Sequence, residues 1–255
     1  GSCAVERHGR RSALSLYAYC LCAELRPDAL DEVAGIAGAQ VRVLWCDEIA
    51  AVVSEFEGDA VKVTRAHVLA HERVVGCVLR QVTPLPFRFG TLTSETRLRS
   101  YIETNESALR ARLARVRGCV EMSVKVMWRR ESDEQTDVRA AQVEFNAHTS
   151  ARDMKGTGTA FLEAKRRALV SDETAQAQAE EIARWLTGQL ADVVRAEQMS
   201  VRPSAALVIS AAHLVERARL AEYRERVRRV FAGRGELHFL TSGPWPPYSF
   251  SQENP

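Results

Sequence analysis

One stretch, Thr241-Ser-Gly-Pro-Trp-Pro-Pro-Tyr-Ser-Phe250, limits the possible folds more than any other. It follows directly on an apparent strand, Glu236-Leu-His-Phe-Leu240. Its three prolines hold φ and remove backbone donors, so the segment is expected neither to prolong a helix nor to lie inside a sheet. Ordering a chain end costs about 1–2 kcal/mol per residue. Burial of the large rings Trp245, Tyr248 and Phe250 is what offsets that cost. The expectation is a docked tail over 242–255 whose removal destabilises the C-terminal half of the molecule.

Upstream, helical and extended periods alternate. Leu14–Cys22 reads as a strand, and Pro27 is placed to open a helix through Leu30, Val33 and Ile36 to Gly38. Val41–Trp45 and Ile49–Ser54, separated by Cys46-Asp-Glu48, read as a hairpin. Thr64 is a plausible N-cap for a helix whose apolar face carries Val68, Leu69, Val75, Val78 and Leu79. Pro84 and Pro86 end it and bracket a short strand, Phe87-Arg-Phe89. A second helix opens at Thr93 or Ser94, buries Leu98, Ile102, Leu109, Leu113 and Val116, and stops at Gly118.

Cys119–Trp128 alternates strongly, with Val120, Met122, Val124, Val126 and Trp128 on one face and Glu121, Ser123 and Lys125 on the other. The polar stretch Arg129–Arg152 reads as loop. From Gly158 to about Met199 a helical tract follows, with Ile182, Trp185, Leu186, Leu190, Val193 and Val194 as its stripe. Its length suggests two segments or one helix lying across a sheet. Ala206–Ser210 is a buried strand. A last helix runs through Leu220, Tyr223, Val227, Val230 and Phe231 to Gly233 and Gly235. Few strands spaced by helices imply an α+β fold in two units, divided near Arg117-Gly118.

Composition excludes several classes. A net charge of +2 in 255 residues lacks the basic excess of a dedicated nucleic-acid binder. No apolar run reaches the roughly 18–20 residues that span a bilayer. Arg7, Arg10 and Arg11 precede only a short apolar strand, which does not read as a secretory leader. The six cysteines form no Cys-x-x-Cys pair, and most lie in apolar stretches, as core thiols of a reducing cytosol do.

Reactive constellations are sparse. His67 and His71 stand four apart on one helix face, a zinc-ligand spacing, but Val68 occupies the place of the metalloprotease glutamate and no third ligand can be named. They read as structural or surface histidines. Gly156-Thr-Gly-Thr-Ala-Phe161 lacks the lysine of a phosphate loop and reads as a turn capped by Thr159. Ser242 does not sit in a nucleophile elbow. Arg217, Arg219, Arg224, Arg226, Arg228 and Arg229 are interleaved with Glu216, Glu222 and Glu225, so that helix reads as a solvated face. Arg88, between Phe87 and Phe89, either pairs with a carboxylate such as Glu121 or faces a partner.

Several motifs recur in one order. They are Leu16-Tyr-Ala-Tyr19, the helix with His71, Leu85-Pro-Phe-Arg-Phe-Gly-Thr91, Val120–Trp128, Gly156–Lys165 and Gly243-Pro-Trp-Pro-Pro-Tyr-Ser-Phe250. Together they make the chain resemble the gas vesicle protein F/L family from about residue 14 to 250. That resemblance implies an accessory or minor structural protein of gas vesicles, not an enzyme, located in the cytoplasm and at the vesicle. It implies a ferredoxin-like N-terminal domain over 12–117, an α+β domain with a long helix over 118–241, and the tail. The implied partner is the apolar shell protein, gas vesicle protein A, with other accessory proteins besides. No cofactor, nucleic acid or membrane is expected. Arg88, Phe89, Gly90, Glu121, Lys125, Trp245, Tyr248 and Phe250 are the candidate partner-facing or family-motif residues. The rival readings are a metal enzyme built on His67 and His71, and a ferredoxin-like nucleic-acid-binding module.

Overall fold

The computed structural model describes residues 15–128, 158–202 and 207–251, with backbone alone at 27, 29, 158–172 and 207. The arginine-rich start, the loop expected at 129–152 and the Gly156-Thr157 turn lie outside the described residues. The fold is α+β. Contacts divide it into two compact units, residues up to 121 together with those from 243 onward, and residues 122–242.

The first unit is built on β1 (Ser15–Cys22), β2 (Val41–Cys46) and β3 (Ile49–Phe56), joined edgewise by the short β4 (Leu85–Pro86) and β5 (Leu92–Thr93). The strand order is β2-β3-β1-β4, with β5 also on β1, and every pairing is antiparallel. Central β1 is buried on both faces from Leu16 to Cys22, which explains its unbroken apolar run. The β2–β3 hairpin closes tightly, Cys46 pairing with Ile49 and Asp47 taking a positive φ of 50°.

Helix α1 (Arg65–Gln81) starts where expected, the Thr64 hydroxyl accepting from the His67 N–H at 3.2 Å. Its buried face is Ala70, His71, Val74, Val75, Cys77, Val78 and Leu79. Val68 and Leu69, expected inside, are 37% and 50% exposed. The second predicted helix is two, α2 (Glu95–Thr104) and α3 (Glu106–Val116), broken at Asn105, whose amide donates to the Tyr101 carbonyl. All five stripe residues named from its period are buried.

Two expectations fail here for backbone reasons. No α-helix forms over 27–38. The chain makes 3-10 turns at Pro27–Leu30 and Ile36–Gly38 because the Ile36 N–H is drawn to the Tyr19 hydroxyl at 2.8 Å, and the Gly35 N–H to the Ala39 carbonyl. Phe87–Phe89 is not a strand; the ladder ends at Pro86, although the Phe87 N–H still reaches the Tyr19 carbonyl at 2.9 Å.

Gly35 is where that turn touches the core. A Cβ there would lie 2.3 Å from the Tyr19 hydroxyl oxygen and 3.2 Å from Ser54 Oγ, both buried. Gly35→Ala is therefore expected to destabilise the protein by about 1–3 kcal/mol. A urea midpoint equal to wild type would rule this out.

In the second unit, β6 (Cys119–Trp128), β7 (Ala196–Val201), β8 (Leu207–Glu216) and β9 (Leu237–Trp245) form a sheet in the order β7-β8-β6-β9. The division between units falls within β6, after Glu121. Helices α4 (Gly158–Leu190) and α5 (Leu220–Ala232) close its core, where Val124, Val126, Leu186, Ile209 and Tyr223 are at most 1% exposed. The long tract is one helix that stops at Leu190. Ala196–Val201, expected to continue it as far as about Met199, pairs antiparallel with β8 from Ala196–Leu214 to Val201–Ile209. Glu, Gln and Met favour helices locally, but the open edge of β8 offers a full ladder, and tertiary pairing overrides that weak preference.

The last strand is also longer than expected, running through Pro244 to Trp245. A proline is tolerated there because β9 is an edge strand.

Candidate functional site

The densest buried polar cluster among the described residues is assembled by β1, α1, the 87–91 loop and the tail, all of the first unit. Tyr17 and Tyr19 stand two apart on β1, so both rings lean to the helix side, with centroids 4.7 Å apart. The register against β3 shifts between Ala18 and Cys20, leaving Tyr19 without a β3 partner, as a bulge does beside a site. The Tyr19 hydroxyl bonds to Ser54 Oγ at 2.9 Å while accepting from Ile36. His71, on the second turn of α1 and 1% exposed, lies between the tyrosine pair and the tail.

Its hydrogen bonds run in one direction. A carboxylate oxygen accepts only, so the Tyr248 hydroxyl donates to Glu72 Oε1 at 3.1 Å. Tyr248 therefore accepts from His71 Nε2–H at 3.0 Å, which leaves Nδ1 as the acceptor of the Tyr17 O–H at 2.8 Å. Tyr17 in turn accepts from the Gly90 N–H at 3.1 Å. Gly90 holds φ at 86°, which brings that N–H to the ring. Phe89 packs edge-on to His71 at 5.8 Å.

The tail is fixed at three further points. Glu121 accepts from the Ser249 N–H at 2.8 Å and from its hydroxyl at 2.9 Å. Phe250 is 1% exposed, with the Arg115 guanidinium 6.0 Å above its ring. The Ser251 carbonyl accepts from Arg112 at 3.3 Å. The tail thus docks on the first unit, not on the C-terminal half as the sequence suggested. Trp245, expected to be buried, is 45% exposed.

Burial keeps the His71 imidazole and the tyrosine hydroxyls of the cluster neutral near pH 7. Burial lowers the His71 imidazole to about 4. It pushes the Tyr17 hydroxyl up to about 12 despite the bond from Gly90, and moves Tyr19 upward too. Tyr248 rises through burial and the adjacent Glu72 carboxylate. Burial also raises the Cys20 thiol and puts Cys22 at about 12, so neither supplies a thiolate. The Glu121 carboxyl is raised by burial, partly offset by the Ser249 bonds. Such a cluster clamps backbone segments together; it contains no activated nucleophile.

The metal reading of His67 and His71 fails on this geometry. Both ring nitrogens of His71 are taken by tyrosines, and His67 Nδ1 is bonded to the Lys62 carbonyl at 2.9 Å. Among the described residues no group of three or more His, Cys, Asp or Glu is placed to hold a metal. Around the arginine-rich helix α5, Arg219 pairs with Glu222 and Arg228 with Glu225, as the interleaved acids suggested, while Arg226 pairs instead with Asp192 at 2.7 Å.

Of the residues singled out from sequence, Phe89, Gly90, Glu121, Tyr248 and Phe250 belong to this clamp. Arg88 is exposed in the loop, and Lys125 is exposed on β6. Sequence reasoning missed Tyr17, Tyr19, Ser54 and Ser249 as site residues. Two tyrosines at strand spacing beside a strong apolar run were the available signal.

The second unit has a smaller cluster of the same kind. His213 on β8, fully buried, bonds through Nδ1 to the Tyr223 hydroxyl at 2.8 Å, and its Nε2 lies 3.2 Å from Glu197 on β7. His213 and Glu197 are direct partners in the ladder. Burial would raise the Glu197 carboxyl, but the His213 imidazole beside it and the bond from Thr187 together hold it below the usual range. This pair ties the β7 edge to the core.

Two small antiparallel-paired α+β units, the first of them fastened by an aromatic tail and a histidine–tyrosine clamp, make up the described residues. Residues 15–252 match the family model for gas vesicle synthesis protein GvpL/GvpF, and the chain belongs to that family. It is 28% identical to gas vesicle protein L2 of Halobacterium salinarum, over 93% of this chain and 91% of that one. It is 27% identical to gas vesicle protein F1 of the same organism, over 86% and 85%. The crystal structure of GvpF from Microcystis aeruginosa superposes with a TM-score of 0.72 at 21% identity, covering 93% of this chain and 99% of that one. GvpF from Anabaena superposes at 0.70 and 18%, covering 95% and 98%. At those identities the superpositions speak to the fold alone.

Proposed function

We propose that this protein is a non-enzymatic accessory or minor structural component of gas vesicles that binds the apolar shell protein, gas vesicle protein A, and supports assembly of the wall. The observation that carries this reading is the family match spanning nearly the whole chain, from residue 15 to 252. The clamp around His71 supports the non-enzymatic part, because its polar atoms are spent on each other and on the tail. Among the described residues no helix is long and apolar enough to cross a membrane.

The first unit supports a ferredoxin-like reading. Its succession is strand, hairpin, helix, strand, with 3-10 turns where such a domain carries its first helix, and its sheet is antiparallel throughout. The physical role follows from the partner. Shell subunits must present apolar surface to gas, so before they polymerise they are prone to aggregate. A protein with edge strands, here β2 and β7, can pair with or cover such a chain end until it enters the wall. The location that goes with this role is the cytoplasm and the growing vesicle.

Co-expression with the shell protein tests it. The tagged chain is expected to retain the shell protein and keep it in the supernatant. A shell protein that pellets equally with and without this chain, and does not co-purify, would refute the proposal.

A further inference from the structure

The outward face of α1 is unusual for a helix packed on a sheet. Arg65, Leu69, Arg73, Gly76 and Arg80 recur at spacings of four, four, three and four, which places them on one stripe. Arg65, Arg73 and Arg80 are exposed, and none makes an ion pair or side-chain hydrogen bond among the described residues. In α2, by comparison, Arg99 is paired with Glu95, and in α5 Arg226, Arg228 and Arg229 find acids. Leu69, halfway between two of the arginines, is 50% exposed; Val68 beside it is 37% and Val63, just before the helix, is 81% exposed. The one acid of α1, Glu72, is turned to Tyr248.

Three guanidinium groups about two turns apart, without an ion-pair partner among the described residues and with apolar side chains between and beside them, form a patch of the kind that marks an interface. Arginine is enriched at such surfaces because its planar fork pairs well with carboxylates. We propose that this face of α1 is a docking surface for an acidic amphipathic helix of another polypeptide. That helix carries Glu or Asp seven or eight residues apart, to meet successive arginines, and an apolar residue midway to cover Leu69. The flat positions Ala66 and Gly76 let the two backbones approach. Charge complementarity selects an acidic partner. The interleaving of arginine and leucine along one line selects a protein helix over a lipid surface, since a helix lying in a membrane segregates cations and apolar groups onto separate faces. No aromatic side chain lies on the stripe to stack a nucleic-acid base. This surface goes beyond binding of the shell protein and does not depend on it.

The test uses the full chain and two fluorescein-labelled synthetic helical peptides. One carries Glu at seven- and eight-residue spacing with Leu midway; the other has the same composition with the glutamates moved to the opposite face. Anisotropy titration is expected to show saturable binding of the first peptide, at least about tenfold tighter than the second and weakening with added salt. Arg73→Glu with Arg80→Glu is expected to weaken it at least tenfold, and Leu69→Ser several-fold. All three positions are exposed, so folding is preserved, which circular dichroism verifies. The proposal is overturned by equal binding of both peptides, by binding that the variants leave unchanged, or by absence of peptide binding. It is equally overturned if phosphatidylserine vesicles or heparin retain the protein through these arginines while the designed peptide does not.

Discussion

Truncating the chain after Trp245 lowers the unfolding midpoint of the first unit by about 15 °C or more. The removed segment holds Phe250, 1% exposed, whose loss alone is worth about 3–5 kcal/mol. It also strands two buried polar groups. His71 Nε2–H loses the Tyr248 hydroxyl, and Glu121 loses both donors of Ser249. Each abandoned group costs about 1–3 kcal/mol. Hydrogen exchange read by mass spectrometry localises the effect. Protection is expected to fall across β1 and α1 while β8 keeps its own, because the tail's contacts lie in the first unit. An unchanged midpoint, or protection lost from β8 instead, would show that the tail is not the fastening described here.

Acid is the second lever. His71 is held at about 4 in the folded protein against an ordinary value of 6.5. Between those values the unfolded chain binds a proton that the native imidazole refuses, so stability is intact above pH 6.5 and drains away as pH falls towards 4. By pH 5 the loss amounts to about 2 kcal/mol. Protonation of Nδ1 also removes the acceptor of the Tyr17 O–H, so the directional chain from Gly90 to Glu72 cannot be kept. Glu121 works weakly the other way. Its carboxyl is raised above its ordinary value, so the stability it gives is fullest in acid and declines as pH rises through the folded value. Urea unfolding at pH 7.5 and pH 5 measures the balance. His71→Gln is expected to be less stable at pH 7.5 but to lose most of the difference between the two pH values. A wild-type protein equally stable at both, or a variant with the same pH dependence, would refute the role given to His71.

Much of the architecture was legible in the chain. Thr64 and Ser94 announce their helices by supplying the hydroxyl that the first-turn N–H groups need. The stripes at Leu98–Val116 and the alternation at Val120–Val126 predict buried faces because periodicity records which side meets the core. Failures occur where a local preference met a distant partner. Ile36 leaves a helix for Tyr19, and Ala196–Val201 leaves a helix for the edge of β8. Val68 and Leu69 satisfied the apolar period of α1, yet the sheet covers only the side centred on His71, Val74 and Val78.

From residues alone, then, came most of the helices and strands and the class of fold, since these depend on side chains a few positions apart. Where the tail docks was decided in three dimensions. The bond from His71 to Tyr248 joins residues 177 positions apart, and that from Glu121 to Ser249 spans 128. Contacts that remote leave no period or spacing in a single sequence; only the assembled core, by desolvating both partners at once, selects them.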